Sequence, residues 1–156
     1  MRKIITALTF TGLLFLAIGC SSDDSSTLPP PPPPEPTTQE LLIGKWNIQE
    51  EGEVVNGVKK AFEMDACSTK DTYEFTKDLK YINEYHETTV NNDCSTQIDD
   101  ATWVLKDDQS LLLTFIADVL PLTTITADLK ITRLTTTELH LEHIEDGETY
   151  YLLLKK

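Results

Sequence analysis

Positive charge is scarce in this chain. Of its 156 residues 13 are Lys or Arg against 26 Asp or Glu, a formal charge of −13, and arginine occurs only at Arg2 and Arg133. Without a basic stripe to meet phosphates, nucleic acid is excluded as a partner, and attraction to anionic lipid by surface charge goes with it. Glycine is equally sparse, at 6 positions, and none forms a phosphate-cradling or dinucleotide turn. No G-x-S-x-G and no H-E-x-x-H occurs either, and the abundant carboxylates show no acid/base spacing. No catalytic residue is nominated, no enzymatic activity is expected, and no cofactor is implied. Metal ligands are also wanting. His140 and His143 are three apart, which on a strand sends them to opposite faces. Asp93, Asp99 and Asp100 have the chemistry for calcium, but a solvated charged loop is the expectation there. Finally, no apolar run reaches the ~20 residues of a membrane span.

What is present begins with a leader. Met1-Arg2-Lys3 is a basic start, and Ile4–Ile18 is an apolar run too short to span, ending at Gly19-Cys20. Residues 1–19 therefore read as a secretion signal. Leu16-Ala17-Ile18-Gly19-Cys20 resembles a bacterial lipobox, with its leucine one place early. The resemblance implies that the Cys20 thiol accepts a diacylglycerol and becomes the new N-terminus, a membrane anchor through acyl (palmitate-type) chains. Each buried methylene contributes about 0.8 kcal/mol, so two or three chains hold the protein almost permanently. Loss of the leader takes Arg2 and Lys3 with it and deepens the formal charge to −15. Ser21-Ser22-Asp23-Asp24 resembles the export signal of Bacteroidetes surface lipoproteins, which implies an outer-membrane location and display on the cell surface. The alternatives are the periplasmic face of that membrane, or a plain linker.

Seven of the eight prolines fall between Pro29 and Pro36. Such a run has few N–H donors and cannot enter a helix or a sheet interior. At ~3.1 Å per residue it makes a semi-rigid spacer of roughly 25 Å. Residues 20–38 are therefore a tether, and 39–156 the folded domain.

Within that domain Thr37-Thr38-Gln39-Glu40 has capping-box spacing, which predicts one short helical turn. Afterwards apolar residues recur with period two. The alternation is clearest in Ile125, Ala127, Leu129 and Ile131. Further runs cover Lys45–Glu51, Asp71–Lys77, Tyr81–Thr88, Thr102–Lys106, Leu111–Ile116, Glu138–Ile144 and Glu148–Leu154, with a weaker one at Val54–Phe62 that Asn56-Gly57 ends or splits. Strands joined by tight turns make a meander. A meander this long removes its edges by closing, so the expected fold is an all-β antiparallel up-and-down barrel of about eight strands behind a short N-terminal helical turn.

One hairpin can be set in register. A loop at Asp78-Leu79-Lys80 places Lys77 opposite Tyr81, Phe75 opposite Asn83 and Tyr73 opposite Tyr85, and brings Cys67 within a short stretch of Cys94. With Cys20 lipidated, these two thiols remain in an oxidising compartment. They pair as a structural disulfide worth about 3.5 kcal/mol by loop entropy, or stand as two separate buried cysteines.

Gly44-Lys45-Trp46 resembles the G-x-W signature of lipocalins. With Asp71-Thr72-Tyr73-Glu74-Phe75, Trp103-Val104-Leu105 and Ile131-Thr132-Arg133-Leu134, it makes residues 40–156 similar to the lipocalin-like domains of Bacteroidetes lipoproteins. The resemblance implies that Trp46 plugs the closed end of the barrel and that an arginine, here Arg133, lies across it. The other reading of Arg133 is an exposed charge. Leu79 stands where these domains often carry glycine. Tyr73, Phe75, Tyr85, Trp103 and Phe115 fall on the inward face, as core or as the lining of a ligand site. A domain of this size needs most of its apolar side chains for its core, which favours a shallow cavity at the open end over a deep cup. The function expected is binding of a small hydrophobic or amphipathic ligand by a monomeric domain. The alternative is a display module that meets a protein or glycan partner with its outer surface.

Overall fold

The computed structural model describes residues 31–117 and 123–156. The chain divides after Pro33, and Pro34–Lys156 forms one compact unit. The signal segment, Cys20, the acidic run after it and the first two prolines of the tether lie outside the described residues. Residues 31–37 are exposed and carry neither helix nor strand.

The capping box does form. The Thr37 hydroxyl accepts from the Glu40 N–H (3.2 Å) while the Glu40 carboxylate accepts from the Thr37 N–H (2.8 Å), opening helix α1 (Thr38–Leu42). Nine strands follow among the described residues. They are β1 (Gly44–Val55), β2 (Val58–Ala61), β3 (Thr72–Phe75), β4 (Lys80–Thr88), β5 (Cys94–Asp107), β6 (Ser110–Ala117), β7 (Thr123–Leu134), β8 (Glu138–Glu145) and β9 (Glu148–Lys155). All pairings are antiparallel between neighbours, and β1 pairs with β9 to close eight strands into a barrel. The ninth strand, β2, lies on the rim. Asn56 and Gly57 both have positive φ (52° and 78°), a two-residue hairpin turn that splits the weak run and folds β2 back on the end of β1. Gly52 has to be glycine there, because a Cβ would collide with the Lys60 carbonyl.

Two expectations are corrected in the β3–β4 hairpin and β5. The observed register is Phe75↔Tyr81 and Tyr73↔Asn83, two residues from the expected one. The loop is Lys77-Asp78-Leu79, closed by a Thr76 N–H to Lys80 carbonyl bond of 2.9 Å. Leu79 itself takes the left-handed position (φ 62°) that glycine usually fills. Its carbonyl accepts from Trp103 N–H at 2.9 Å, which offsets the cost of that conformation in a leucine. Strand β5 begins at Cys94 rather than Thr102. Residues 94–100 are mostly exposed, so no apolar alternation marks them, and their pairing with β4 from Ala101 back to Cys94 holds them extended. Asp99 and Asp100 are therefore strand residues, not loop ligands.

Cys67 and Cys94 form a disulfide. It ties the 3-10 turn Ser68–Lys70 to the start of β5. Asp65 organises the same loop, accepting from the N–H groups of Cys67 and Ser68 (both 2.8 Å) and from the Thr88 hydroxyl (2.7 Å). These bonds, the Thr88 one foremost, hold its carboxyl down to about 2.

One end of the barrel is packed solid. Trp46 is fully buried, and its indole N–H donates to the Leu42 carbonyl at 2.8 Å. The cation across it is Lys156, not Arg133. The Lys156 ammonium lies 4.4 Å from the Trp46 ring centroid and donates to the Leu41 and Ile43 carbonyls (2.7 and 2.9 Å), groups that the end of α1 leaves unpaired. Gly44 belongs to this plug, with φ 130° and a Cβ position only 3.2 Å from Lys156 Cε. Arg133 is displaced by a bulge between Ile131 and Arg133 in the β7–β8 register. Ile131 and Leu134 keep the inner face, so Arg133 turns outward and pairs with Glu138 at 2.8 Å. Above the plug Phe75 meets Trp103 edge-on (5.8 Å) and Tyr81 at a tilt (5.2 Å), and Tyr81 meets Phe115 edge-on (6.2 Å).

Replacing Lys156 with Met should cost about 1–3 kcal/mol by removing the bonds and the cation. Arg133→Gln removes an exposed pair and should cost under about 0.5 kcal/mol. Equilibrium denaturation of the two variants checks this order, and the reverse order would refute the plug.

Candidate functional site

Beyond the aromatic layer the barrel is not filled. A cavity of about 290 Å³ opens at the end away from Trp46. Leu113 of β6, Ala127 and Leu129 of β7, and Leu141 of β8 give it an apolar side, facing Tyr73 and Tyr81 of β3 and β4. Phe62 and Tyr150 stand at the rim with their rings 6.4 Å apart, and His143 stacks on Tyr150 at 5.2 Å.

Glu51 also faces in. Regular alternation from Trp46 and Ile48 would send Glu50 inward. The bulge between Ile48 and Glu50 exchanges the pair, so Glu51 shares a face with Leu152 and borders the cavity. Glu50 goes outside and accepts from the Tyr151 hydroxyl at 2.9 Å. Burial, and then the charge of Asp71, push the Glu51 carboxyl above its ordinary value. Tyr73 and Tyr81 are more than nine-tenths buried, and burial raises both phenols well above the usual range. They stay neutral donors at any physiological pH. Among the described residues no hydrogen bond or ion pair engages the Glu51 carboxylate or either hydroxyl. The residues lining the cavity include neither Lys nor Arg.

The wall has a side opening as well. β7–β8 pairing stops at Lys130↔Glu142, whereas β7 stays with β6 as far as Thr123 and β8 stays with β9 as far as Glu145. The two strands part, leaving a cleft of about 760 Å³. Its lining mixes outward residues (Asp128, Glu142, Ile144) with inward ones (Ala127, Leu129, His143), and the last three also line the cavity.

Of the five aromatics expected on the inward face, Tyr73 borders the cavity. Phe75 and Trp103 are buried in the layer beneath, and Phe115 packs against Tyr81. Tyr85 sits farther along β4, where its hydroxyl donates to Gln97 Oε1 at 3.0 Å. Glu51 was hidden by the bulge, whereas Tyr81 shares a face of β4 with Tyr85 and only its cross-strand partner differs from the expectation. His143 and Tyr150 were legible in principle, since the Asp146-Gly147 turn sets them opposite one another.

A carboxyl with a raised pKa in the folded state contributes stability below its ordinary value of 4.5, and that contribution is lost as pH rises through the raised value. Glu51→Gln should therefore raise Tm at pH 7 by roughly 1–3 °C, with the gain disappearing near pH 4. Thermal scans across that range check it. A variant less stable than wild type at pH 7 would contradict the inward placement.

The comparisons agree with this architecture. A lipocalin-like protein from Bacteroides uniformis superposes with a TM-score of 0.52 at 13% identity, covering 74% of this chain and 98% of that one. The extracellular fatty acid binding protein As-p18 (TM-score 0.41, 14% identity, covering 78% of this chain and 99% of that one) and the bovine odorant binding protein (0.42, 14%, 79% and 74%) are more distant. A search of the curated proteins matches none. The family model for the lipocalin-like domain matches residues 42–141, most of the barrel, and the chain therefore belongs to the lipocalin-like domain family.

Proposed function

We propose that this protein is a lipid-anchored outer-membrane lipoprotein whose barrel binds a small amphipathic molecule at its open end, acting by binding and not by catalysis. The observation that carries the binding is the cavity. Its volume lies at the low end of the ~300–1,000 Å³ of small-molecule sites, and a mostly apolar lining with a few convergent polar groups is the usual composition of such sites. A core meant only for stability would fill that space, since each void costs dispersion contacts.

The anchor rests on the lipobox at Cys20, and the proline-rich tether sets the barrel off from the bilayer. The acidic residues after the cysteine favour the cell surface. A mass spectrum of the protein from its native membrane should show two or three acyl chains at an N-terminal Cys20. An unmodified thiol there would end this part of the reading.

For the cavity, the uncharged fluorophore N-phenyl-1-naphthylamine should bind with micromolar affinity and a blue-shifted emission. Ala127→Phe, which puts a ring into the space, should weaken it at least tenfold while leaving the β-sheet circular dichroism intact. Unchanged binding by that variant would move the site elsewhere.

A further inference from the structure

The polar side of the cavity has a definite chemical character. It offers one carboxylate, two phenolic hydroxyls, the His143 imidazole stacked on Tyr150 and several aromatic rings, with no Lys or Arg among the described residues that line it. We infer that the cavity selects a small ligand carrying an organic cation, a protonated amine on an aromatic or short alkyl skeleton, in preference to a carboxylate-bearing ligand. The inference rests on the reading of the cavity as a ligand site and names the class of ligand it takes.

Four observations carry it. A carboxylate ligand would find no Lys or Arg among the described residues of the lining. An anion brought beside Glu51 would be buried unpaired next to a like charge. A cation, in contrast, meets Glu51, an acceptor that the β1 bulge aims inward and that lacks a partner among the described residues. That bulge decides which of the two neighbouring carboxylates, Glu50 or Glu51, faces the interior.

The hydroxyls of Tyr73 and Tyr81 are the second observation. Each belongs to a side chain more than nine-tenths buried, neither has a protein partner among the described residues, and both border the same space. They can accept the remaining N–H bonds of an ammonium once Glu51 has taken one. The third is the ring population. Tyr73, Tyr81, Tyr150 and Phe62 surround the site, and π faces attract cations most where water is excluded. The fourth is size. A cavity of about 290 Å³ accommodates a bicyclic amine. The net charge of the whole chain, −13, acts in the same sense by concentrating cations around the mouth.

Three ligands on one indole skeleton test the proposal: tryptamine, tryptophol and indole-3-acetate, titrated calorimetrically into the purified protein at pH 7. Tryptamine should bind at least tenfold more tightly than tryptophol, and indole-3-acetate most weakly. In Glu51→Gln the tryptamine-to-tryptophol ratio should fall to within about twofold. In Glu74→Gln, which removes a carboxylate from the outward face of β3, the ratio should persist. Equal or tighter binding of indole-3-acetate by the wild-type protein overturns the inference without recourse to any variant, as does a ratio that survives Glu51→Gln or collapses equally in Glu74→Gln. If N-phenyl-1-naphthylamine binds and tryptamine shows no advantage, the cation preference falls and the ligand site stands. If none of the probes binds, both fall.

Discussion

Strand β1 is hydrogen-bonded along both edges, and the barrel depends on it. One edge takes β3 from Gly44 to Asn47 and then β2 from Gly52 to Val55, while the other takes β9 from Asn47 to Glu53. A nine-strand meander without that second pairing would be an open sheet with two unsatisfied edges. The pairing with β9 also delivers the C-terminus to the mouth of the plug, where Lys156 reaches the carbonyls that end α1 and covers Trp46. Closure and capping are thus one event, and the two ends of the described domain meet there.

The same strand decides the site. The bulge between Ile48 and Glu50 adds a residue where β1 must bend to serve two neighbours, and bulges commonly re-aim side chains in this way. Below it Trp46 and Ile48 point into a core of Phe75, Trp103, Leu111, Leu139 and Leu154. Above it Glu51 points into a space left open. The barrel therefore has two halves of opposite character. One is close-packed. The other holds a carboxylate with a raised pKa and two phenols without protein partners among the described residues, and its wall parts between β7 and β8. Local rules broken at one place and kept everywhere else are what a binding site looks like in a folded chain.

Much of this was legible in the amino-acid order. The capping box, the period-two runs, and the Asn-Gly and Asp-Gly turns depend on interactions within a few residues, so β1, β4 and β6 to β9 lie close to where alternation put them. The G-x-W motif carried its meaning intact, because Gly44 is needed for its backbone angle and for the passage of Lys156. The exposed half of β5 carried no alternation. Backbone pairing with β4 makes it a strand, and such pairing has no side-chain signature.

What the sequence determined by itself was therefore the class of fold and the plug tryptophan. The tertiary structure decided which residues face that interior. Period-two reasoning is sound only until an extra residue enters a strand or a loop shifts, and either event moves side chains to a new face or a new partner. Here three such events, at Ile48/Glu50, at Ile131/Arg133 and at the Leu79 turn, brought Glu51 to the cavity, sent Arg133 into solvent and set Tyr81 opposite Phe75. Bulges and left-handed turn residues are settled by long-range closure, which no short window of the chain contains.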